Sequence, residues 1–172
     1  MPLTPEQRDL LDRLEAFSLD DPESSLTFTR RLSRECRWPL DYALRAVREY
    51  KRFLFLAMEA GHPVTPSDQV DQAWHLHLLY TRSYWEDLCT NVLPRPLHHG
   101  PTKGGKNEGD KFNDWYSKTL DSYRRLLGED PPPDLWPAPA ERFDPTTFGT
   151  RVRPCDAWLI PKLNWRRKRT GR

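Results

Sequence analysis

Four of the five histidines fall between positions 75 and 99: His75 and His77 in VDQAWHLHLL, His98 and His99 in LHHG. Imidazole is the commonest metal ligand and the side chain best suited to moving protons near neutral pH. Zinc accepts imidazole, carboxylate and thiolate, and with three protein ligands it keeps a fourth position for an activated water. Other divalent transition metals accept the same imidazole and carboxylate donors. Spacing decides which histidines can cooperate. A single helix from Thr65 to Val92 turns by roughly 100° per residue, which points His75 and His77 in nearly opposite directions. Asp71 and His75, at i and i+4, are neighbours, and the carboxylate can hold one imidazole nitrogen while freeing the other. These two form one half of a candidate metal site, and His98 or His99 supplies the other.

If the loop after the helix folds back, its inward histidine meets Asp71 and His75. If it stays at the helix end, it meets Cys89 instead, which a straight helix sets about 21 Å from His75. The competing readings are structural: an aspartate hydrogen-bonded to a half-buried histidine, a loop whose histidines bond carbonyls, and Cys89 as a small apolar core residue. His77 falls on the other flank, where packing is its expected role. Arg82, on the flank of His75, is the candidate for holding an anionic substrate group.

The elements that position these residues read as helices. In LTPEQRDLLDRLEAF, Thr4 caps, Pro5 opens the first turn and Gln7 closes a capping box; Leu10, Leu11, Leu14 and Phe17 make the stripe. A second helix is expected from Ser24 to Cys36. The third, DYALRAVREYKRFLFLAMEAG, has Leu44, Val47, Tyr50, Phe53, Leu54 and Ala57 on one face and Gly61 as its stop. The fourth opens at TPSD with Thr65 as cap. A break at Pro94 and Pro96 follows, then a fifth helix from Gly109 to Leu127, stopped by Gly128. EDPPPDLWPAPAERFDP is too rich in proline for helix or central strand, so it reads as an extended strap with Leu135 and Trp136 docking on the helices. The expected fold is all-α: a small bundle of about five helices with a proline-rich C-terminal strap. Its expected division is a helical domain at 1–137, with a motif core at 50–137, and an extended basic tail at 138–172.

Three cysteines without a CxxC make no disulfide framework and suit a reducing compartment. No run approaches a membrane span, so a cytoplasmic protein without a membrane partner is expected. The segment from Arg151 to Arg172 holds eight basic residues and one acid, a charge of +7 that leaves −5 on the rest. That tail is a candidate contact for a protein partner or acidic ligand, with nucleic acid a further possibility, since Trp158 and Trp165 are interleaved with base. GPTKGGKNEGD lacks the spacing of a phosphate-binding P-loop and has no strand before it. Lys103 and Lys106 can still assist an anion at the helix start, and Glu108 is there either a fourth ligand or a favourable charge.

Taken together, VDQAWHLHLLYTRSYWEDLC, LHHGP and YSKTLDSYRRLLGEDPPPDLWP resemble the bacterial branch of the glycine-rich-domain-containing-protein-like family. The pattern is V-D-x-x-W-H, a tyrosine and a cysteine, an H-H-x-P turn and a closing Y-x-x-x-(F/L)-G-x-x-P-P. It is carried by Val70, Asp71, Trp74, His75, Tyr84, Cys89, His98, His99, Pro101, Tyr123, Leu127, Gly128, Pro131 and Pro132. The resemblance runs from Tyr50 to Pro137 and implies no catalytic step; the glycine-rich region of the larger members is missing. The functional expectation is a metal-binding protein or metal-assisted enzyme using zinc or another divalent transition metal at Asp71, His75, His98 and His99. The alternative is a non-enzymatic binding or scaffold module working through the strap and tail.

Overall fold

The computed structural model describes residues 2–100 and 106–142, and the side chains of all but 106–113 among them. Among these residues every regular element is helical: α1 (Pro5–Ala16), α2 (Phe28–Cys36), α3 (Leu40–Glu59), α4 (Asp68–Leu79), a π-helical segment (Ser83–Thr90), α5 (Lys106–Leu127) and the short α6 (Pro139–Arg142). Among the described residues no helix is long and apolar enough to cross a membrane. The all-α bundle with a docked strap is the architecture observed.

α3 is the centre, in contact with α1, α2, α4 and α5. The expected capping box of α1 is present: Thr4 Oγ1 accepts from the Gln7 amide and Gln7 Oε1 accepts from the Thr4 amide. Leu10, Leu11 and Leu14 are buried behind it. α2 starts later than the expected Ser24, because Thr27 supplies the cap and the Asp20 carboxylate holds both the amide and the hydroxyl of Thr29. On α3 the buried face is Ala43, Ala46, Tyr50, Phe53 and Leu54, together with Phe55 and Leu56. Leu44, assigned to the core stripe by periodicity, is 51% exposed. The small alanines face inward because a helix crowded by four neighbours needs close approach. Gly61, at φ 78°, follows the end of α3 as expected.

Two corrections concern the helix that carries the opening motif. Its cap is Ser67, whose hydroxyl accepts from the Val70 amide, and not Thr65. Thr65 instead donates its backbone amide to Thr119 Oγ1 on α5. The helix is also not continuous to Val92. It ends at Leu79, and Tyr80 leaves helical geometry at φ −88°, ψ 64°. The chain then re-enters as a π-helix, whose i→i+5 bonding widens the turn and continues into the Leu93 amide donating to the Leu88 carbonyl. The wider turn directs Tyr84, Leu88 and Cys89 inward and leaves Trp85 partly exposed.

The strap is fixed along α3 and α5. Leu135 and Trp136 are buried, as their position in the proline-rich run suggested. Arg45 clamps the Asp134 carboxylate through two hydrogen bonds of 2.8 and 2.7 Å, and the Tyr42 hydroxyl donates to the Asp134 carbonyl. Beneath lies Glu49, a carboxylate only 4% exposed. Its Oε2 accepts from the Tyr123 hydroxyl and from Trp136 Nε1, each at 2.9 Å, and its Oε1 accepts from Arg52 at 3.0 Å. Arg52 also reaches Glu129. Burying a carboxylate costs several kcal/mol unless donors surround it, and here α3, α5 and the strap each contribute one. The proline-rich stretch is not extended throughout: Pro139–Arg142 forms one helical turn, for which Pro139 has the right dihedral at the first position. Of the expected tail at 138–172, residues 138–142 are described and include this turn, while residues 143–172 lie outside the described residues.

Candidate metal centre

α4 carries Asp71 and His75 one turn apart, and the loop after Leu93 returns His99 to them. His99 Nε2 lies 3.1 Å from Asp71 Oδ1 and 3.0 Å from His75 Nε2, and His75 Nε2 lies 3.5 Å from Asp71 Oδ2. Among the described residues these three form the group able to hold a metal ion. A tetrahedral zinc with bonds of about 2.0–2.1 Å spaces its ligand atoms about 3.3 Å apart, and the contacts of the two imidazoles with each other and with the two Asp71 oxygens fall near that spacing. The side chains of Asp71 and His99 are 20% and 23% exposed and that of His75 is 45% exposed, so the group opens to solvent on the His75 side.

Hydrogen bonding at this junction depends on which ring nitrogens carry protons. A ring nitrogen carries either one proton or one lone pair, directed in the ring plane. His99 Nε2 has two close neighbours, a carboxylate oxygen and another imidazole nitrogen, and a single proton on it points at one of them or is shared between both. A cation among the three atoms meets all of them at once, because each then presents a lone pair inward.

The remaining candidates sit elsewhere. His98 points away from the group and its ring lies 5.2 Å from that of Trp85. Cys89 is buried beside the Tyr84 hydroxyl. Arg82 is highly exposed and pairs with Glu86 at 3.5 Å, one helical turn on. The side chains of Lys103, Lys106 and Glu108 lie outside the described residues.

His77 occupies the opposite side of α4, as the helical spacing requires, and is enclosed by the rings of Phe17, Phe28, Tyr50 and Tyr84. Both of its nitrogens have hydroxyl partners, Tyr50 at 3.0 Å and Ser83 at 3.1 Å. Burial lowers its pKa to about 4 and keeps it neutral. It is a packing residue.

Sequence reasoning missed the scaffold behind His99. Trp74 Nε1 donates to the Tyr84 hydroxyl at 3.0 Å, and that hydroxyl donates to the carbonyl of Leu97. The Trp74 ring stands edge-on to the His99 imidazole, 4.5 Å between centroids, with Phe53 behind it. On an unbroken helix Trp74 and Tyr84 are about 15 Å apart along the axis, so their bond depends on the break at Tyr80. No Gly or Pro marks that break in LYTRSYW.

The fold and this group define an all-α protein with a surface cluster of one carboxylate and two imidazoles suited to a metal ion. Residues 34–114, which include all three, match the UCP032817-like family. Glycine-rich domain-containing proteins 1 and 2 of Arabidopsis thaliana are 31% and 30% identical to the chain over 88 residues. These matches bear out the resemblance to the glycine-rich-domain-containing-protein-like sequences that the motif carried. Each takes in 48% of this chain and 11% of the relative, so the chain spans about a tenth of the length of the curated relatives it matches. No solved structure matches.

Proposed function

We propose that the protein binds one divalent transition metal ion, with zinc the best fit, through Asp71, His75 and His99. The observation that carries the reading is the convergence of the Asp71 carboxylate and two Nε2 atoms, with His99 Nε2 3.0 Å from His75 Nε2 and 3.1 Å from Asp71 Oδ1, and His75 Nε2 3.5 Å from Asp71 Oδ2. Two imidazoles and a carboxylate form a ligand set common to catalytic zinc, with an open fourth position for water. The partly exposed His75 side gives a water or an anionic group access to that position. Bound there, the metal would lower the pKa of the water and make it a nucleophile near neutral pH, so metal-assisted hydrolysis is the chemistry the group is equipped for.

The test is elemental analysis and calorimetric zinc titration of the protein without a histidine tag. One zinc per chain, with affinity sharply reduced in His75→Ala, His99→Ala and Asp71→Ala but unchanged in His98→Ala, is the expected pattern. Absence of binding, or equal binding in His99→Ala, removes the proposal. A second reading has its own support in the His99–Asp71 contact at 3.1 Å: the same three residues would act only as a latch holding the loop to α4. It predicts a stability loss in these variants with no metal dependence. The scaffold reading finds less support in the strap, whose Leu135 and Trp136 are committed to the interior.

A further inference from the structure

α4 sets the relative position of Asp71 and His75 by itself, since they occupy adjacent turns. His99 is the ligand the helix cannot place, because it arrives on a loop. We infer that the Tyr84 hydroxyl is the positioning group of the metal centre, holding His99 at ligating distance; this rests on the metal-binding reading above. Tyr84 is fully buried. Its oxygen accepts from Trp74 Nε1, and its proton goes to the carbonyl of Leu97, two residues before His99. Trp74 in turn forms the wall against which the His99 ring stands edge-on.

One hydroxyl therefore fixes both the strand of loop that carries the ligand and the aromatic surface that orients it. Its proton goes to Leu97 and it accepts from Trp74, with the Cys89 thiol as a further close neighbour, so donation and acceptance both serve this purpose. The break at Tyr80 and the π-helical turn after it put the hydroxyl within reach of both. Groups that orient a ligand without touching the metal commonly set its affinity by about ten- to a hundredfold, and Tyr84 is in that position.

Tyr84→Phe removes one oxygen and keeps the ring that packs on His77. In cobalt(II) titrations followed by visible absorption, its affinity should fall about ten- to a hundredfold with the far-UV circular dichroism unchanged. In a His99→Ala background the same change should cost no further affinity, because both remove the same ligand. Wild-type affinity in Tyr84→Phe, or a loss that adds in full to that of His99→Ala, overturns the inference. Imidazole NMR of metal-free protein separates this from the metal reading. Tyr84→Phe should move the His99 and His75 resonances and leave His62 unmoved, and an unmoved His99 also overturns the inference. If the wild type takes up no cobalt, the metal reading falls and the metal-free spectra alone decide the role of Tyr84. Should Tyr84→Phe not fold, Trp74→Phe, which deletes the indole N–H from the same bridge, carries both measurements.

Discussion

The Glu49 and Asp71 carboxylates are both gripped by side chains from distant parts of the chain, yet they differ in how donors balance acceptors. Around Glu49 stand a phenol, an indole N–H and a guanidinium, all of which donate, and the carboxylate is almost fully enclosed. Around Asp71 stand two imidazole nitrogens that also face each other, at a place open to water. A buried carboxylate with a full complement of donors is a structural tie, because nothing further can bind it. A carboxylate among groups that can each turn a lone pair inward could hold a metal ion. Counting donors against acceptors separates the two, whereas residue type alone does not.

The largest effect that probes this contrast is expected at the closed cluster. Glu49→Ala should lower stability by about 3–5 kcal/mol, the usual cost of breaking a buried ion pair from one side. Urea unfolding will measure it, and metal affinity of the folded fraction should be unchanged. Next comes the closed histidine. Burial holds His77 at about 4, below the value of about 6.5 of an unfolded chain, so the unfolded state takes up a proton the folded state refuses. Its contribution is complete above about 6.5 and is lost as pH falls toward 4, by up to about 3 kcal/mol. His77→Gln should flatten that part of the stability–pH curve.

At the open cluster the effect depends on ligand. Zinc at a hundred times its dissociation constant should stabilise the wild type by about 2.7 kcal/mol, and Asp71→Asn should abolish the increment seen in thermal unfolding. Smallest of all is Arg82→Ala, which removes an exposed i,i+4 pair with Glu86. It should shift stability by less than about 0.5 kcal/mol and leave zinc affinity as it was.

Local rules made much of this legible in the sequence. The Thr4–Gln7 capping box, Gly61 and Gly128 after their helices, the pairing of Asp71 with His75 and the separation of His77 all follow from three- and four-residue spacings. The rest depends on contacts between residues far apart in sequence. Glu49 looks like a surface residue until Tyr123 and Trp136 arrive from 74 and 87 positions later. The break at Tyr80 has no proline or glycine to announce it. It is sustained instead by what it permits, Tyr84 reaching Trp74 and Leu97, and without it the choice of His99 over His98 has no local basis. Leu44 shows the converse: periodicity put it on the core face of α3, and the buried face is instead the one that carries Ala43 and Ala46.

The donors around Glu49 also impose an order in time. Synthesis proceeds from the N-terminus, so α3 is complete long before the indole that covers its buried carboxylate exists. Until Trp136 has been made, Glu49 lacks one of its donors. The strap thus works as a fastener: a nascent chain that stops short of it lacks both the indole donor to Glu49 and the apolar cover of Leu135 and Trp136.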